Sequence, residues 1–345
     1  MTNNITFLLP IKDRIEFTKR FLNSFDYSYN IPIIISDGSL TSNDELIEII
    51  NTKSNILYEK FDFDKDYLTF LTKLKNSINL VETNYVALVC DDDFYFLDQI
   101  NEAVKFLENN LEYSMYKTSV KNFTISSGIN NYFNYGVYGN LILTNDNYES
   151  YNEQITDDNV LERFKRLQDC YPYEGVFKTS ILKKALEIAV SVNCFHHNIF
   201  IDILRYVIFI NGKVYFKKKY ILARQNNTPT SAGETHLKSF DKIKMKSSKL
   251  YFDIYQKISE KLEKLFNEFS YNYEFKFLKD QIFNNLNDEI EELRKNKFNK
   301  FELRLQNKFI KSLLNTLLKK DDIIINKYNV LDAVNSINKK INKNE

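Results

Sequence analysis

The 345-residue sequence contains no tryptophan, 7 glycines, 4 prolines and only 3 cysteines. Cys90, Cys170 and Cys194 are scattered, so their spacing indicates neither a disulfide framework nor a cysteine metal cluster. No apolar run reaches the roughly 18 residues that a membrane-spanning helix needs, and the first residues lack the pattern of a signal peptide. We therefore expect a cytoplasmic protein.

Hydrophobic residues make up 43% of the chain and aromatic residues 15%, which is enough for a sizeable core. The net charge of +1 conceals an asymmetry between two regions. Residues 1–235 carry 24 Lys and Arg against 30 Asp and Glu, whereas residues 236–345 carry 23 against 16. The sequence therefore predicts two regions that differ in kind, 1–235 and 236–345.

Short apolar strands alternate with amphipathic helices through the first hundred residues. The predicted strands are 5–10, 31–36, 55–61 and 84–90, and the predicted helices are 14–25, 43–50, 66–81 and 97–110. Near-continuous apolar strands separated by helices are typical of a parallel sheet that is covered on both faces. The fold class predicted for this region is therefore α/β, Rossmann-like and mostly parallel.

The pattern becomes mixed after this region. Residues 113–143 and 213–224 resemble strands, three helices are predicted at 158–168, 180–191 and 196–210, and residues 226–234 read as a loop. Beyond about residue 240 the apolar spacing is helical and no strand is predicted. We therefore expect a domain at 1–235 followed by a helical C-terminal region at 236–345.

Carboxylates follow two of the predicted strands. Asp37 ends the second strand, and Asp91, Asp92 and Asp93 follow the fourth in the stretch YVALVCDDDF. Ligands of open parallel sheets bind at the carboxyl ends of the strands, where crowded carboxylates require a cation or hydrogen-bond donors. Their hard oxygens suit Mn²⁺ or Mg²⁺. A lone aspartate triplet is more often a helix cap or solvated turn, so the prediction depends on the combination.

Three segments resemble GT-A fold glycosyltransferases of the large family 2 type. FLLPIKDRIEFTKRFLNSF resembles the opening strand, proline and helix, IIISDGSLTSND the second strand and its turn, and KLKNSINLVETNYVALVCDDDF the segment that ends in the DxD motif. Two departures are a single Asp in the second motif and a missing glycine before the third helix's basic-Asn pair.

The resemblance implies a site for a nucleotide-sugar donor, with a UDP-sugar favoured. It implies that Asp37 contacts the base, that Asp91 lies near the ribose, that Asp93 ligates Mn²⁺ or Mg²⁺ and that Asp92 assists either of them. Asp91 and His236 are further candidates for the metal. The candidate contacts to nucleotide or diphosphate are Pro10, Lys12, Arg14, Lys73 and Lys75. A solvated helix face is the alternative for each basic residue.

Inverting members of this family use a carboxylate as general base, which deprotonates the acceptor hydroxyl. By resemblance this residue is Asp202, and Glu174 in the stretch PYEGVF is the competing carboxylate. His196 and His197 precede Asp202 and are candidates for the acceptor pocket. The implied reaction is a single displacement, with inversion, onto a glycan or lipid-linked acceptor in bacterial surface polysaccharide synthesis.

Other interpretations stay open. The Lys-rich C-terminal helices suit peripheral contact with the inner face of an anionic membrane, or a solvated bundle that completes the core or forms a homo-oligomer. Nucleic-acid binding is not expected, because no recognition motif is present. A sugar nucleotidyltransferase would need a glycine-rich loop after the first strand, which LLPIKDRIEF lacks. A non-catalytic binding or scaffold protein with this fold is the third alternative.

Overall fold

The computed structural model describes residues 4–126, 136–144, 154–166, 170–226, 228, 249–268 and 323–342. The chain divides into two compact units, one of Met1–Thr228 with Ile324–Glu345 and one of Pro229–Ile323. The boundary predicted between residues 235 and 236 lies outside the described residues, so that division stays a prediction.

Strands and helices alternate through most of the described ranges. The strands are β1 Ile5–Ile11, β2 Ile33–Asp37, β3 Ile56–Lys60, β4 Tyr85–Leu88, β5 Phe94–Tyr95, β6 Tyr113–Ser126, β7 Gly139–Leu143, β8 Gly175–Lys178, β9 Lys213–Gln225 and β10 Ile323–Ile325. The helices are α1 Ile15–Asn23, α2 Asp44–Asn51, α3 Tyr67–Ser77, α4 Leu97–Asn109, α5 Val160–Lys165, α6 Thr179–Ser191, α7 His197–Asn211, α8 Lys249–Glu268 and α9 Val330–Asn342.

Four neighbouring strands of the ten-stranded sheet are parallel, in the order β3-β2-β1-β4. Strands β1, β2 and β4 are buried along almost their whole length, as expected for strands covered on both faces. In the register, Asp37 lies opposite Ile11, and Leu88 lies opposite Leu8. The carboxyl ends of β2 and β4 therefore flank the end of β1 on the same edge of the sheet.

The rest of the sheet is mixed. Strand β8 pairs antiparallel with β4 and β6, and β7 pairs antiparallel with β6. The long strand β9 runs parallel to β6 and ends against β5, where Phe94 lies opposite Ala223. Because β5 directly follows the three aspartates, this pairing fixes the acidic segment next to the end of β9.

Local sequence explains where several helices begin. Asn43 caps α2 by accepting a hydrogen bond from Leu46 N at 2.9 Å. Asp66 and Thr69 form a capping box at the start of α3. Both helices are thereby fixed at the ends that lie near the carboxyl edge of the sheet.

The predicted α/β class is confirmed: a Rossmann-like sheet is flanked by helices, and helices are also present in the C-terminal region. One expectation was wrong, because Ile323–Ile325 is a strand although no strand is predicted beyond residue 240. Three β-branched residues form it, a run too short to show strand periodicity. Among the described helices, none is long and apolar enough to cross a membrane.

Candidate functional site

The stretch Cys90–Asp93, called the acidic loop here, turns between β4 and β5. Asp93 N donates to Cys90 O at 3.4 Å, and Cys90 N donates to the hydroxyl of Tyr95 at 3.0 Å. All three aspartates are buried, with 4%, 8% and 3% of their surface exposed. Buried carboxylates are stable only when they are paired or hydrogen-bonded, so their partners define the site.

Arg14, which precedes α1, pairs with two of the aspartates. Its Nη1 lies 3.2 Å from Asp91 Oδ1, and its Nη2 lies 3.0 Å from Asp92 Oδ2. Thr18 Oγ1 donates to Asp91 Oδ2 at 3.4 Å, one turn further along α1. Burial opposes the charge of Arg14, but the two carboxylates outweigh that effect and raise the pKa of its guanidinium.

The end of β9 supplies further partners. Gln225 N donates to Asp93 Oδ1 at 3.1 Å, and Arg224 Nε lies 3.9 Å from Asp93 Oδ2. Thr228 Oγ1, three residues past β9, donates to Asp92 Oδ2 at 2.5 Å. The acidic loop is therefore held between the start of α1 and the end of β9.

Arg20 lies on α1 and is fully buried. Its guanidinium donates to Asp92 O at 2.7 Å, to Gln225 Oε1 at 2.7 Å and to Val137 O at 2.9 Å. Burial lowers the pKa of Arg20 to about 10, an effect that the aspartates oppose. The side chain therefore remains charged at neutral pH.

Burial disfavours the ionised forms of two carboxyl groups of the acidic loop despite these arginines. Burial raises the pKa of Asp91 to about 7, with Asp92 adding to the shift and Arg14 opposing it. Burial likewise raises the pKa of Asp93 to about 8, with Asp92 adding and Arg224 opposing. A further positive charge would stabilise the ionised form of both carboxyl groups.

The donor set of the acidic loop suits a divalent cation. Ligand atoms of Cys90, Asp92 and Asp93 all lie within 4.8 Å of one another. Burial, together with the charges of Asp93 and Asp92, raises the pKa of the Cys90 thiol well above its ordinary value, which makes a thiolate unfavourable. The two carboxylates are therefore the fitting ligands, and hard oxygens of this kind suit Mn²⁺ or Mg²⁺.

The end of β2 has a different environment. Asp37 Oδ1 accepts from Ser39 N at 2.7 Å, and Asp37 Oδ2 accepts from the hydroxyl of Tyr58 at 2.7 Å. Next to it, Asp64 and Lys73 form a buried ion pair with 2.5 Å between Asp64 Oδ2 and Lys73 Nζ. Burial raises the pKa of Asp64 and lowers the pKa of Lys73.

Gly38 allows this ion pair to lie against the turn after β2. A Cβ at position 38 would lie 2.2 Å from Asp64 Oδ2, far closer than van der Waals contact. Lys12 Nζ donates to the backbone oxygen of Asp64 at 2.5 Å and lies over the ring of Phe63. The segment after β3 is thus fastened to the turns after β1 and β2.

The structure brings some predicted site residues together and separates others. Asp91, Asp92, Asp93 and Arg14 form one group, while Lys12 and Lys73 surround Asp64 beside Asp37. Pro10 lies opposite Ser36, and Lys75 lies partly buried in the last turn of α3.

The candidate base residues lie elsewhere. Asp202 is buried on α7 and its Oδ1 accepts from Arg205 Nη1 at 3.2 Å. Glu174 ends the 3₁₀ turn Pro172–Glu174, and its side chain is outside the described part of the structure. His236 also lies outside the described residues.

An aromatic group links the acidic loop to the start of α7. The guanidinium of Arg224 lies 5.4 Å from the ring centroid of Tyr171, whose hydroxyl is 3.5 Å from His197 Nε2. The hydroxyl of Tyr67 lies 3.2 Å from His197 Nδ1, and the ring of Tyr173 contacts the same histidine. His197 therefore lies in an aromatic group that reaches Asp93 through Arg224. The neighbouring His196 has a different contact, because its side chain caps α7 by accepting a hydrogen bond from Asn198 N.

Sequence reasoning missed several residues around the acidic loop, above all Arg20, Gln225, Thr18 and Thr228. Arg20 falls within the run FTKRFL of α1, every residue of which is buried. A basic residue at a position predicted to be buried in a helix indicates that polar partners lie nearby, because a charged side chain is almost never fully buried without partners. Gln225 and Thr228 carry no comparable signal in the sequence.

Comparison with known proteins finds likenesses of fold only. No protein-family model matches the chain, and no curated protein sequence matches it. The crystal structure of S. aureus TarS 1–349 with UDP-GlcNAc has a TM-score of 0.48 at 10% identity, covering 75% of this chain and 71% of that chain. The crystal structure of S. aureus TarS 1–349 alone has a TM-score of 0.46 at 9% identity, covering 75% of this chain and 65% of that chain.

A longer S. aureus TarS structure has a TM-score of 0.44 at 12% identity, covering 78% of this chain and 46% of that chain. At these identities, and with every one of these TM-scores below 0.5, the likenesses identify neither the reaction nor the substrate of this chain.

Proposed function

We propose that the chain is a glycosyltransferase that moves a sugar from a nucleotide-diphosphate sugar, with a UDP-sugar favoured, to a hydroxyl of a glycan or lipid-linked acceptor. The observation that carries the proposal is the meeting of Asp37 and the acidic loop at one carboxyl edge of the parallel strands. That edge is the usual ligand site of open α/β sheets.

Asp92 and Asp93 would hold Mn²⁺ or Mg²⁺, and such an ion neutralises the charge that develops on a diphosphate leaving group. Asp37 is suited to bind the base: each of its oxygens accepts one neutral hydrogen bond and has a second lone pair for an N–H group. Asp91 is suited to the ribose. We further propose inversion at the anomeric carbon and a role in bacterial surface polysaccharide synthesis.

Asp202 would accept the proton of the acceptor hydroxyl. Arg205, one turn further along α7, holds the carboxylate in place through the contact with Oδ1. The aromatic group of Tyr67, Tyr171, Tyr173 and His197 lies at the start of α7, and we assign the acceptor to this side of the site. Membrane contact or self-association through residues 236–345 stays a prediction.

Thermal denaturation with a panel of nucleoside diphosphates, with and without Mn²⁺, tests the proposed donor. We expect stabilisation by UDP that requires Mn²⁺, because Asp92 and Asp93 would hold the ion and its charge would offset that of the diphosphate. Absence of a shift with every nucleotide, in the presence of the ion, would refute the proposed transferase.

Asp202→Asn tests the proposed base. We expect turnover to fall about 10²- to 10⁴-fold, with the UDP-dependent thermal shift retained. Glu174→Gln is the matched control and should leave turnover close to that of the unaltered chain. If the two variants behave in the opposite way, Glu174 is the base.

A further inference from the structure

Arg20 joins four segments of the chain, and the acidic loop is one of them. This residue belongs to α1, and it donates to the backbone of Asp92, to the side chain of Gln225 at the end of β9 and to the backbone of Val137. Its guanidinium also lies near the rings of Phe17 and Phe94, at 5.1 and 4.9 Å from their centroids. Hydrogen bonds and aromatic contacts therefore restrain the guanidinium on several sides.

Gln225 extends this network to the third aspartate. While its side-chain oxygen accepts from Arg20, its side-chain amide donates to Gly136 O at 3.0 Å, and its backbone N–H donates to Asp93 Oδ1 at 3.1 Å. The position of Asp92 is thus fixed by Arg20 directly, and the position of Asp93 is fixed through Gln225.

From these contacts we infer that Arg20 is a positioning residue that holds the acidic loop against the end of β9 and so presets Asp92 and Asp93 for the cation. Its donors point to Asp92 O, Gln225 Oε1 and Val137 O, so it acts without touching the ion or the nucleotide. The consequence for cation affinity rests on the proposed function, whereas the positioning itself does not.

A lysine cannot replace this arginine. The planar guanidinium reaches three acceptors in fixed directions, whereas a single ammonium group on a flexible stem cannot span the same set. Arg20→Lys should therefore keep the charge and lose part of the restraint, and Arg20→Met should lose both.

Arg163 provides a matched control in the same unit. It is buried on α5, and its guanidinium donates to the backbone oxygens of Phe209, Asp157 and Asp158 at 2.7–2.9 Å. Arg163→Met therefore removes an equally buried guanidinium that has no contact with the acidic loop. Any effect seen with Arg20→Met alone is then specific to the position of Arg20.

The first measurement is the rate at which a thiol reagent labels Cys90 in the full chain with a chelator present, with labelled peptides assigned by mass spectrometry. Cys90 is partly exposed, whereas Cys170 and Cys194 are buried, so its labelling reports the acidic loop. We expect Arg20→Met to speed the labelling about tenfold over the unaltered chain, because a charged hydrogen-bond donor is lost, with Arg20→Lys intermediate. Equal labelling of Arg20→Met and Arg163→Met, at equal loss of thermal stability, overturns the inference.

The second measurement is the affinity for Mn²⁺ alone, obtained from the electron paramagnetic resonance signal of the free ion. Loss of a residue that orients metal ligands typically weakens metal binding about 10- to 100-fold, and we expect this for Arg20→Met but not for Arg163→Met. If the unaltered chain does not bind Mn²⁺, the proposed cation site fails, while the labelling result still decides the role of Arg20.

A double-mutant cycle with Gln225→Met tests whether the two residues act as one unit. Coupled residues give effects that are not additive, so adding Gln225→Met to Arg20→Met should increase Cys90 labelling much less than Gln225→Met does alone. Full additivity would show that Arg20 does not act through Gln225.

Discussion

Two strand ends at the same edge of the sheet gather carboxylates and stabilise them in opposite ways. At the end of β2, Asp37 accepts from a backbone amide and a tyrosine hydroxyl, and the nearby Asp64 is paired one to one with Lys73. At the end of β4, three consecutive aspartates share the arginines at positions 14, 20 and 224. At the first end, called the balanced end here, the buried ion pair is matched one to one, whereas at the second end burial raises the pKa of Asp91 and Asp93 although three arginines face three aspartates.

This difference separates two kinds of chemistry. Neutral donors fix a carboxylate as a hydrogen-bond acceptor, which suits recognition of an N–H group on a base. Crowded carboxylates whose ionised forms are disfavoured by burial suit a divalent cation, which would stabilise those ionised forms. Under the proposed function, base recognition therefore falls to the end of β2 and ion binding to the end of β4, and each of these proposals can be tested separately.

The largest effect is expected at the balanced end. Asp64→Ala leaves Lys73 buried, with 3% of its surface exposed and the carbonyl of Ile11 as its remaining hydrogen-bond acceptor among the described residues. Breaking a buried ion pair by removing one partner costs about 3–5 kcal/mol, and urea unfolding should show a loss of that size.

Removing both charges is the control for this effect. The double variant Asp64→Leu/Lys73→Met should recover most of the lost free energy of unfolding, because an apolar pair replaces a buried ion pair at little cost. A loss below about 1 kcal/mol for Asp64→Ala would mean that the pair is open to solvent, where ion pairs contribute little.

Asp93→Asn tests the ion binding proposed at the other end. Loss of a residue that only orients metal ligands weakens metal binding up to about 100-fold. Removal of a proposed ligand itself should weaken Mn²⁺ binding at least as much, as measured by titration calorimetry. Asp37→Asn is the matched control at the end of β2, and it should leave Mn²⁺ affinity unchanged while reducing the UDP-dependent thermal shift. Equal loss of Mn²⁺ binding in both variants would contradict the division of roles.

Much of this edge could be predicted from the sequence. Apolar runs that stop at Asp37 and at Asp91 place both carboxylates at strand ends. The alternation of strands with helices indicates that the strands are parallel. The meeting of the two carboxylates at one edge therefore follows from the hydrophobic periodicity and the order of the elements along the chain. The short strand Ile323–Ile325 was missed because three residues carry no measurable period.

The partners of these carboxylates could not be predicted in the same way. Arg20 and Gln225 are 205 positions apart in sequence and meet only in the folded chain. Lys73 was predicted to contact the nucleotide, a role that stays a prediction, and the structure pairs it with Asp64. Side-chain pairing depends on tertiary packing, which local periodicity does not encode.

Gly38→Ala tests the close packing that the balanced end requires. The added Cβ would lie 2.2 Å from Asp64 Oδ2, so the carboxylate must move away from Lys73. Forcing extra volume into a packed site costs about 1–3 kcal/mol, and thermal unfolding should show a loss in that range. Leu40→Ala in the same turn is the control, because an exposed side chain of this kind changes stability by only about 0.5 kcal/mol or less.

The last effect concerns pH and belongs to the acidic loop. The folded chain raises the pKa of Asp91 to about 7 and of Asp93 to about 8, from the ordinary value of 3.8. Between about pH 4 and pH 8 these groups bind more protons in the folded chain than in the unfolded one. Linkage then makes their contribution to stability fall as pH rises through that window.

Thermal unfolding at pH 5.5 and pH 8.0 with a chelator present measures this slope. Asp93→Asn removes one of the two groups and should flatten the slope relative to the unaltered chain. Mn²⁺ binds the ionised carboxylates, so its stabilising effect should grow from pH 6 to pH 8 in the unaltered chain. A slope that Asp93→Asn does not change would show that the acidic loop is compensated by its arginines without an ion.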